Sequence, residues 1–260
     1  VAYYPFNGNA NDESGNGNNG TVNGATLTTD RFGNSNSAYE FDGNDWIEVA
    51  HDASINFNPG EQYSISIWIK LDSSANLQSG QSVLEKWNGS GAYPYHIRTH
   101  YDTDSLKHNI VSGSYSTISE NTVSSIGLLK QEVYYNVVVS YNNGHKLLYV
   151  NGESKDTTTS LLSNFGNNTN LFIGRRGNTT NRFFHGFIDD IVIWDRELSS
   201  QEIQQLYNNQ NYTYNWSPGG ETTSSITVQP SATTTYTVDV TSGTTTCQSD
   251  VTISVNQRDF

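Results

Sequence analysis

The chain has 260 residues, a formal charge of −13 and only 15% charged side chains, with 12% aromatics and Tyr ahead of Phe by 16 to 10. A field of that sign repels a phosphate backbone and an anionic lipid surface, which argues against nucleic acid and membrane partners. Cys247 is the single cysteine, so no intrachain disulfide can form, and polarity carried by Asn, Ser, Thr and Gly is the composition of short strands joined by many turns.

The chain opens at Val1 with neither Met nor a signal segment, which reads as a processed or excised piece of an exported protein. The run Tyr4–Gly20 sets Asn7, Asn9, Asn11, Asp12 and Glu13 among Gly8, Gly15, Gly17 and Gly20. Hard oxygen donors on a backbone free to turn its carbonyls inward suit a calcium-organised loop. The same residues also suit an ordinary polar loop, because Asn, Asp and Gly tolerate left-handed backbone. Asn7, Asn9 and Asn11 have EF-hand spacing, but Asn18 stands where the twelfth-position Glu is required, so an EF-hand is rejected.

Period-two alternation then predicts strands. Short ones are expected at Ala38–Phe41, Trp46–Ala50, Ser82–Trp87, Tyr93–Thr99, Lys107–Ser112 and Leu171–Ile173, and a long one at Phe183–Trp194. Tyr63, Ile65, Ile67, Ile69 and Leu71 share one face of another strand, and Tyr135, Val137, Val139 and Tyr141 one face of the next. Asn143-Gly144 and Asn151-Gly152 are hairpin turns on either side of His145–Val150. Ser199 and Glu202 form an S-x-x-E capping box ahead of Ile203, Leu206 and Tyr207, predicting one short helix. Many strands and almost no helix give an all-β, two-sheet antiparallel jelly-roll sandwich. No window approaches 18 consecutive apolar residues, so no membrane-spanning helix is expected.

Composition shifts after Asn211 to Thr and Ser, which divides the chain into residues 1–210 and a small β appendage, 211–260, with strands expected at Ser225–Val228, Thr235–Val240 and Asp250–Val255. The sequons at Asn88, Asn167, Asn178, Asn211 and Asn215 are expected by chance in so Asn-rich a chain.

The words AYYPFNGNANDESGNGNNG, YEFDGNDWIEV, YSISIWIKL, YVNG, FIGRR and GFIDDIVIWDRELSSQEI follow one another across Ala2–Ile203. In that order they resemble the bacterial laminin-G-like, pentraxin-like domains of the concanavalin A-like lectin/glucanase superfamily. The resemblance implies a jelly roll and a structural Ca2+ ion where the opening loop meets the last long strand. Here those positions are Asn7, Asn9 and Asp12 in the loop and Asp189 and Asp190 in the strand. Adjacent strand residues face opposite ways, so one of the two Asp is expected to point inward and need a partner. No Lys or Arg lies in that strand, so a metal is one answer; the other is that one Asp caps turn N–H groups and the other is solvated. The tail resembles the Ig-like repeats of secreted bacterial surface proteins, without the strands that usually precede Trp216. That resemblance implies covalently linked neighbouring domains and a secreted or cell-surface location.

The superfamily also includes hydrolases and lyases. Glu40-Phe41-Asp42 begins the E-x-D word of the hydrolase strand, but no acid stands at 44 and Asp45 is not Glu. His96, Arg98 and His100 alternate as a lyase would require, without the surrounding lyase words. No G-x-S-x-G, phosphate-loop, Rossmann or zinc motif occurs. A binding face is better supported, since sugar recognition combines aromatic platforms with planar hydrogen-bonding groups. One stretch carries Trp87, Tyr93, Tyr95, His96, Arg98 and His100; a second carries Arg175, Arg176, Asn178 and Arg182. Clustered Arg on an acidic chain points to an anionic glycan, although each Arg could instead pair with a surface carboxylate. Trp46, Trp68 and Trp194 are expected to be structural. The expectation is therefore a non-catalytic carbohydrate-binding module directed to a polysaccharide. A cell-surface adhesin module binding protein or host glycan is the alternative, and a glycoside hydrolase or polysaccharide lyase the third reading.

Overall fold

The computed structural model describes residues 1–58, 60–76, 80–87, 92–102, 107–115, 120–124, 129–159, 167–177, 182–208, 212–223, 225–242 and 245–255. The chain divides into two units, Val1–Gln204 and Gln205–Phe260.

In the first unit the strands are β1 (Ala2–Tyr4), β2 (Gly20–Asn23), β3 (Thr26–Thr28), β4 (Ala38–Asp42), β5 (Trp46–Val49), β6 (Gln62–Leu71), β7 (Ser82–Glu85) and β8 (Tyr93–Asp102). They continue as β9 (Lys107–Tyr115), β10 (Glu120–Ser124), β11 (Tyr134–Asn142), β12 (His145–Val150), β13 (Glu153–Thr159), β14 (Leu171–Ile173) and β15 (His185–Trp194). An eight-stranded sheet has the order β13-β12-β11-β6-β15-β4-β3, with β1 also pairing β15. A seven-stranded sheet has the order β10-β9-β8-β7-β14-β5-β2. All these pairings are antiparallel, so the expected two-sheet sandwich is observed.

One core fills the space between the sheets. Tyr63, Ile65, Ile67 and Ile69 of β6 and Val137 and Val139 of β11 meet Ile47 of β5, Tyr95 and Ile97 of β8, and Leu171 and Ile173 of β14. Each fully buried aliphatic side chain contributes about 1.5–3 kcal/mol, which makes period-two alternation so strong a register signal. The Asn-Gly hairpins form as expected. Asn143 and Gly144 have φ of 45° and 89°, and Asn151 and Gly152 have 54° and 75°, the double left-handed pattern that matches strand twist. The capping box is also present. The Ser199 N–H donates to Glu202 Oε2 at 2.8 Å, and helix α1 runs Ser200–Asn208 with Ile203 buried.

In the second unit β16 (Tyr212–Ser217), β17 (Thr234–Ser242) and β18 (Thr245–Ile253) form one antiparallel layer. Tyr212–Ser217 is a strand that alternation did not single out, and Ser225–Val228 is not one. None of this unit's described residues is fully buried.

Candidate functional site

The carboxylates expected to hold calcium have other partners. Asp12 Oδ1 accepts the N–H groups of Tyr3 and Ser14, both at 2.9 Å, and Oδ2 accepts that of Asn18 at 3.0 Å. Burial opposes its charge, yet these bonds from Tyr3, Ser14 and Asn18 hold it below the usual carboxylate range. Asn9 Oδ1 accepts the Asn11 N–H at 2.8 Å, and both Asn7 and Asn9 are exposed. The opening loop is thus organised by side-chain-to-backbone hydrogen bonds, the mechanism that makes Asn and Asp turn residues.

At the far strand, expectation and structure differ. A bulge sits between Asp189 and Ile191, and Asp190 has φ 39°. The extra residue leaves Ile188 and Ile191 both in the core and turns Asp189 and Asp190 to the same outer side. There the Arg31 guanidinium takes both, Nη1 on Asp189 and Nη2 on Asp190 at 2.6 Å. Burial lifts Asp189 to about 6 against the pull of Arg31. Trp68, whose Cα pairs with Asp189, lies under the same guanidinium at 4.6 Å, on the sheet's outer side rather than in the inter-sheet core. Among the described residues no group of three or more His, Cys, Asp or Glu converges to hold a metal. The donor set does not fit calcium: its carboxylates already carry a guanidinium or backbone N–H groups.

The outer face of the seven-stranded sheet has a different character. Register places Thr21, Glu48, Phe172, Glu85, His96 and Gly113 in one row across β2, β5, β14, β7, β8 and β9. Their neighbours Ile47, Leu171, Ile173, Leu84 and Ile97 belong to the core, so this row faces away from it. A register shift between Ser82 and Leu84 lets Ser82 face outward with Glu85 while Val83 and Leu84 both stay inside.

Glu85 is fully buried, and its Oε1 accepts from both Ser82 Oγ and Arg98 Nε. Its Oε2, Arg98 Nη2 and both ring nitrogens of His96 are buried with no hydrogen-bond partner. Burial, then Arg98, with Lys146, Arg176 and Arg182 behind it, push His96 well below the ordinary imidazole value, so it is neutral. Trp87 and Tyr93 pack beside this group at a tilt, with ring centroids 5.0 Å apart and Tyr93 5.3 Å from the His96 ring. Arg176 lies 4.0 Å from the Trp87 centroid and Arg98 5.4 Å on.

Arg175, next in sequence, goes the other way, 4.1 Å over Trp46 and 4.9 Å from Phe172. Gly174 makes the turn possible. Its φ is 83°, and a Cβ there would meet the Phe41 ring at 2.4 Å. Arg182 is exposed, and its carbonyl accepts the Ser82 N–H at 2.9 Å, which ties it to the edge of the group.

Trp87, Tyr93, His96, Arg98 and Arg176 therefore come together as the sequence suggested, with Arg175 and Arg182 flanking them. His100 is exposed further along β8, and Asn178 lies outside the described residues. Tyr95 is a correction: it points inward, packs at a tilt against Phe57 and Tyr63, and donates its hydroxyl proton to the Ile55 carbonyl at 2.8 Å. Glu85, Glu48 and Trp46 were passed over. The sequence reading assigned the remaining acids to turns and Trp46 to structure, whereas all three occupy outward strand positions; the alternation of WIEV was the available signal for Trp46 and Glu48, while the register shift at Ser82–Leu84 hid that of Glu85. A separate cleft of about 560 Å³ is lined by Ser54, Phe57, Glu61, Gln62 and Asp195 with Val1 and Asn16. Its only ring, Phe57, is buried.

Residues 41–204 match the Laminin_G_3 family model of the concanavalin A-like lectin/glucanases superfamily. The chain belongs to this family. A curated relative is Pentraxin-related protein PTX3 of Mus musculus, 29% identical over 154 residues, covering 55% of this chain and 38% of that protein. Among solved structures, domain 4 of AbnA, a GH43 extracellular arabinanase from Geobacillus stearothermophilus in complex with arabinotriose, has a TM-score of 0.64 at 19% identity, covering 79% of this chain and 97% of the other. The binding domain of botulinum neurotoxin serotype D gives 0.64 at 18% identity, covering 92% and 56%. These likenesses establish the laminin G-type sandwich as the shared fold.

Proposed function

We propose that this laminin G-type unit is a non-catalytic carbohydrate-binding module that holds a polysaccharide on the outer face of its seven-stranded sheet. The observation that carries this reading is the set of buried, unpartnered polar atoms at Glu85, Arg98 and His96 beneath Trp87 and Tyr93. Each such group costs about 1–3 kcal/mol of unrecovered desolvation. A sugar hydroxyl is both donor and acceptor: it donates to Glu85 Oε2 and accepts from Arg98 Nη2. Its ring takes the Trp87 face that Arg176 covers in the free protein, and the displaced guanidinium turns to the ligand. Arg98, Arg176 and Arg182 against Glu85 leave a local positive surplus on a chain of charge −13, which favours an acidic glycan. The arabinotriose-bound arabinanase domain supports the ligand class.

Binding without cleavage is supported by the carboxylate geometry. Glu85 and Glu48 lie on β7 and β5 with β14 and its Phe172 between them, Glu85 is held by Ser82 and Arg98, and Glu48 Oε1 accepts from Asn170 Nδ2 at 2.6 Å. A glycosidase pair must keep one carboxyl free to protonate the leaving group and the other to attack or activate water. A secreted or cell-surface setting, with neighbouring domains in the same chain, is part of this reading and would raise a linked domain's local concentration on its substrate. Cell entry of botulinum neurotoxin type C, whose solved structure shares the fold, is described as dependent upon interaction with two ganglioside molecules, which favours a second reading, attachment to another cell's glycan.

A glycan array carrying acidic and neutral polysaccharides beside sialylated glycans tests both readings, followed by affinity electrophoresis of Glu85→Gln. The module reading expects retention on a polysaccharide and about a tenfold loss on substitution. Retention on sialylated glycans alone transfers the role to adhesion. Release of oligosaccharides, or no glycan retention at all, overturns the proposal.

A further inference from the structure

The disagreement at Asp189 and Asp190 has a consequence for what this domain needs in order to fold. Two adjacent carboxylates on one side of a strand repel each other and require a cation. The bulge at Asp190 creates that requirement, and the chain meets it from the loop after β3. Asp30 folds this loop, its Oδ1 accepting the N–H groups of Phe32 and Asn34, both at 2.8 Å. Arg31 is thereby delivered to the strand, where its backbone N–H also reaches Asp189 Oδ2 at 3.4 Å. Its guanidinium sits between two aromatic rings, 4.2 Å from the Phe32 centroid and 4.6 Å from that of Trp68, with only 7% of the side chain exposed. A planar fork on two carboxylates, covered by rings, is a geometry that arginine fills and a spherical ion does not.

We propose that Arg31 is the built-in cation of this domain. It occupies the carboxylate seat that the family resemblance assigns to calcium and pins the loop at residues 29–37 to β15 through ion pairs, so the laminin G-type unit folds without a divalent metal. Calcium takes six to eight oxygens, and the nearest side-chain oxygens that could complete such a shell already accept hydrogen bonds. Both Asp12 oxygens hold backbone N–H groups, Asn9 holds Asn11, and Asp30 holds its own loop. To enter, the ion would have to expel a buried guanidinium.

Thermal unfolding of the whole 260-residue chain, in chelator and then in millimolar CaCl2, reads this directly and does not depend on glycan binding. The midpoint is expected to agree within about 1 °C between the two conditions, since a ligand that does not bind the native state cannot stabilise it. Arg31→Ala is expected to lower the midpoint by on the order of 10 °C, and Arg31→Lys, which keeps the charge but not the fork, by roughly half of that. A rise of several degrees with calcium in the unsubstituted chain overturns the proposal, as does an Arg31→Ala protein as stable as the parent. If Arg31→Ala does not fold, the chelator comparison and Arg31→Lys decide.

Discussion

The outer faces of the two sheets carry the same ingredients and finish them differently. On the eight-stranded sheet a bulge turns two carboxylates outward, Arg31 bridges them, and Trp68 lies against the guanidinium. On the seven-stranded sheet a register shift turns Ser82 and Glu85 outward, Arg98 meets Glu85, and Trp87 lies near its guanidinium. None of the buried atoms left without a partner belongs to the first cluster, while Glu85, Arg98 and His96 all contribute such atoms in the second. A saturated polar cluster is complete as structure. An unsaturated one costs stability that a ligand can return. The identity of the residues does not separate the two; the count of satisfied atoms does.

The comparison is broken or sharpened by experiments on each side. The largest effect is expected from Asp189→Ala, which leaves a buried guanidinium with half its fork. The loss should be about 3–5 kcal/mol in urea unfolding, with glycan affinity unchanged where the protein remains folded. A neutral substitution would mean that the saturated cluster contributes nothing. Trp87→Ala should do the reverse, weakening polysaccharide binding by about 2 kcal/mol in calorimetry, or roughly thirtyfold, while stability moves by less than about 1 kcal/mol. Equal losses in stability and affinity would erase the distinction between the faces.

A smaller effect belongs to His96. Its folded-state proton affinity is depressed below the ordinary value of 6.5, burial being the first cause and Arg98 the second. The unfolded chain therefore binds a proton below 6.5 that the folded chain refuses, and stability falls as the solution is acidified through that value. The slope is at most about 1.4 kcal/mol per pH unit. His96→Gln should remove this contribution in a pH series of unfolding curves; identical slopes for the two proteins would show that the ring titrates freely. The smallest effect is expected at exposed Arg182. Arg182→Ala should cost about 0.5 kcal/mol of affinity at low salt and nothing at high salt, because exposed charges act through a screened field.

Local pattern carried most of the architecture. Strands β6 and β11 alternate, the Asn-Gly pairs mark the hairpins on either side of β12, and the capping box marks α1, because each signal depends on residues a few positions apart. Strands β1, β2, β3 and β10 were not singled out; each is five residues or fewer, too short for alternation to register. Tyr95 was read onto the binding face because rings cluster there in sequence, yet it has the opposite parity to His96 and Arg98 and goes to the core, while a register shift between Tyr93 and His96 leaves Tyr93 on the outer face. Most of the binding face was legible for the same reason that Tyr95 was not: His96 and Arg98 are two apart, and sequence alone does not say which parity faces out.

The sandwich, its hairpins and its aromatic-rich patch followed from one-dimensional periodicity, since burying every second residue is a local requirement. Whether an acid meets a metal, a guanidinium or nothing was decided in three dimensions. Arg31 and Asp189 are 158 positions apart, and the bulge that aligns Asp189 with Asp190 leaves both neighbouring isoleucines in the core. Electrostatic pairing acts through space over a few ångströms, so only the folded backbone determines which charge stands beside which.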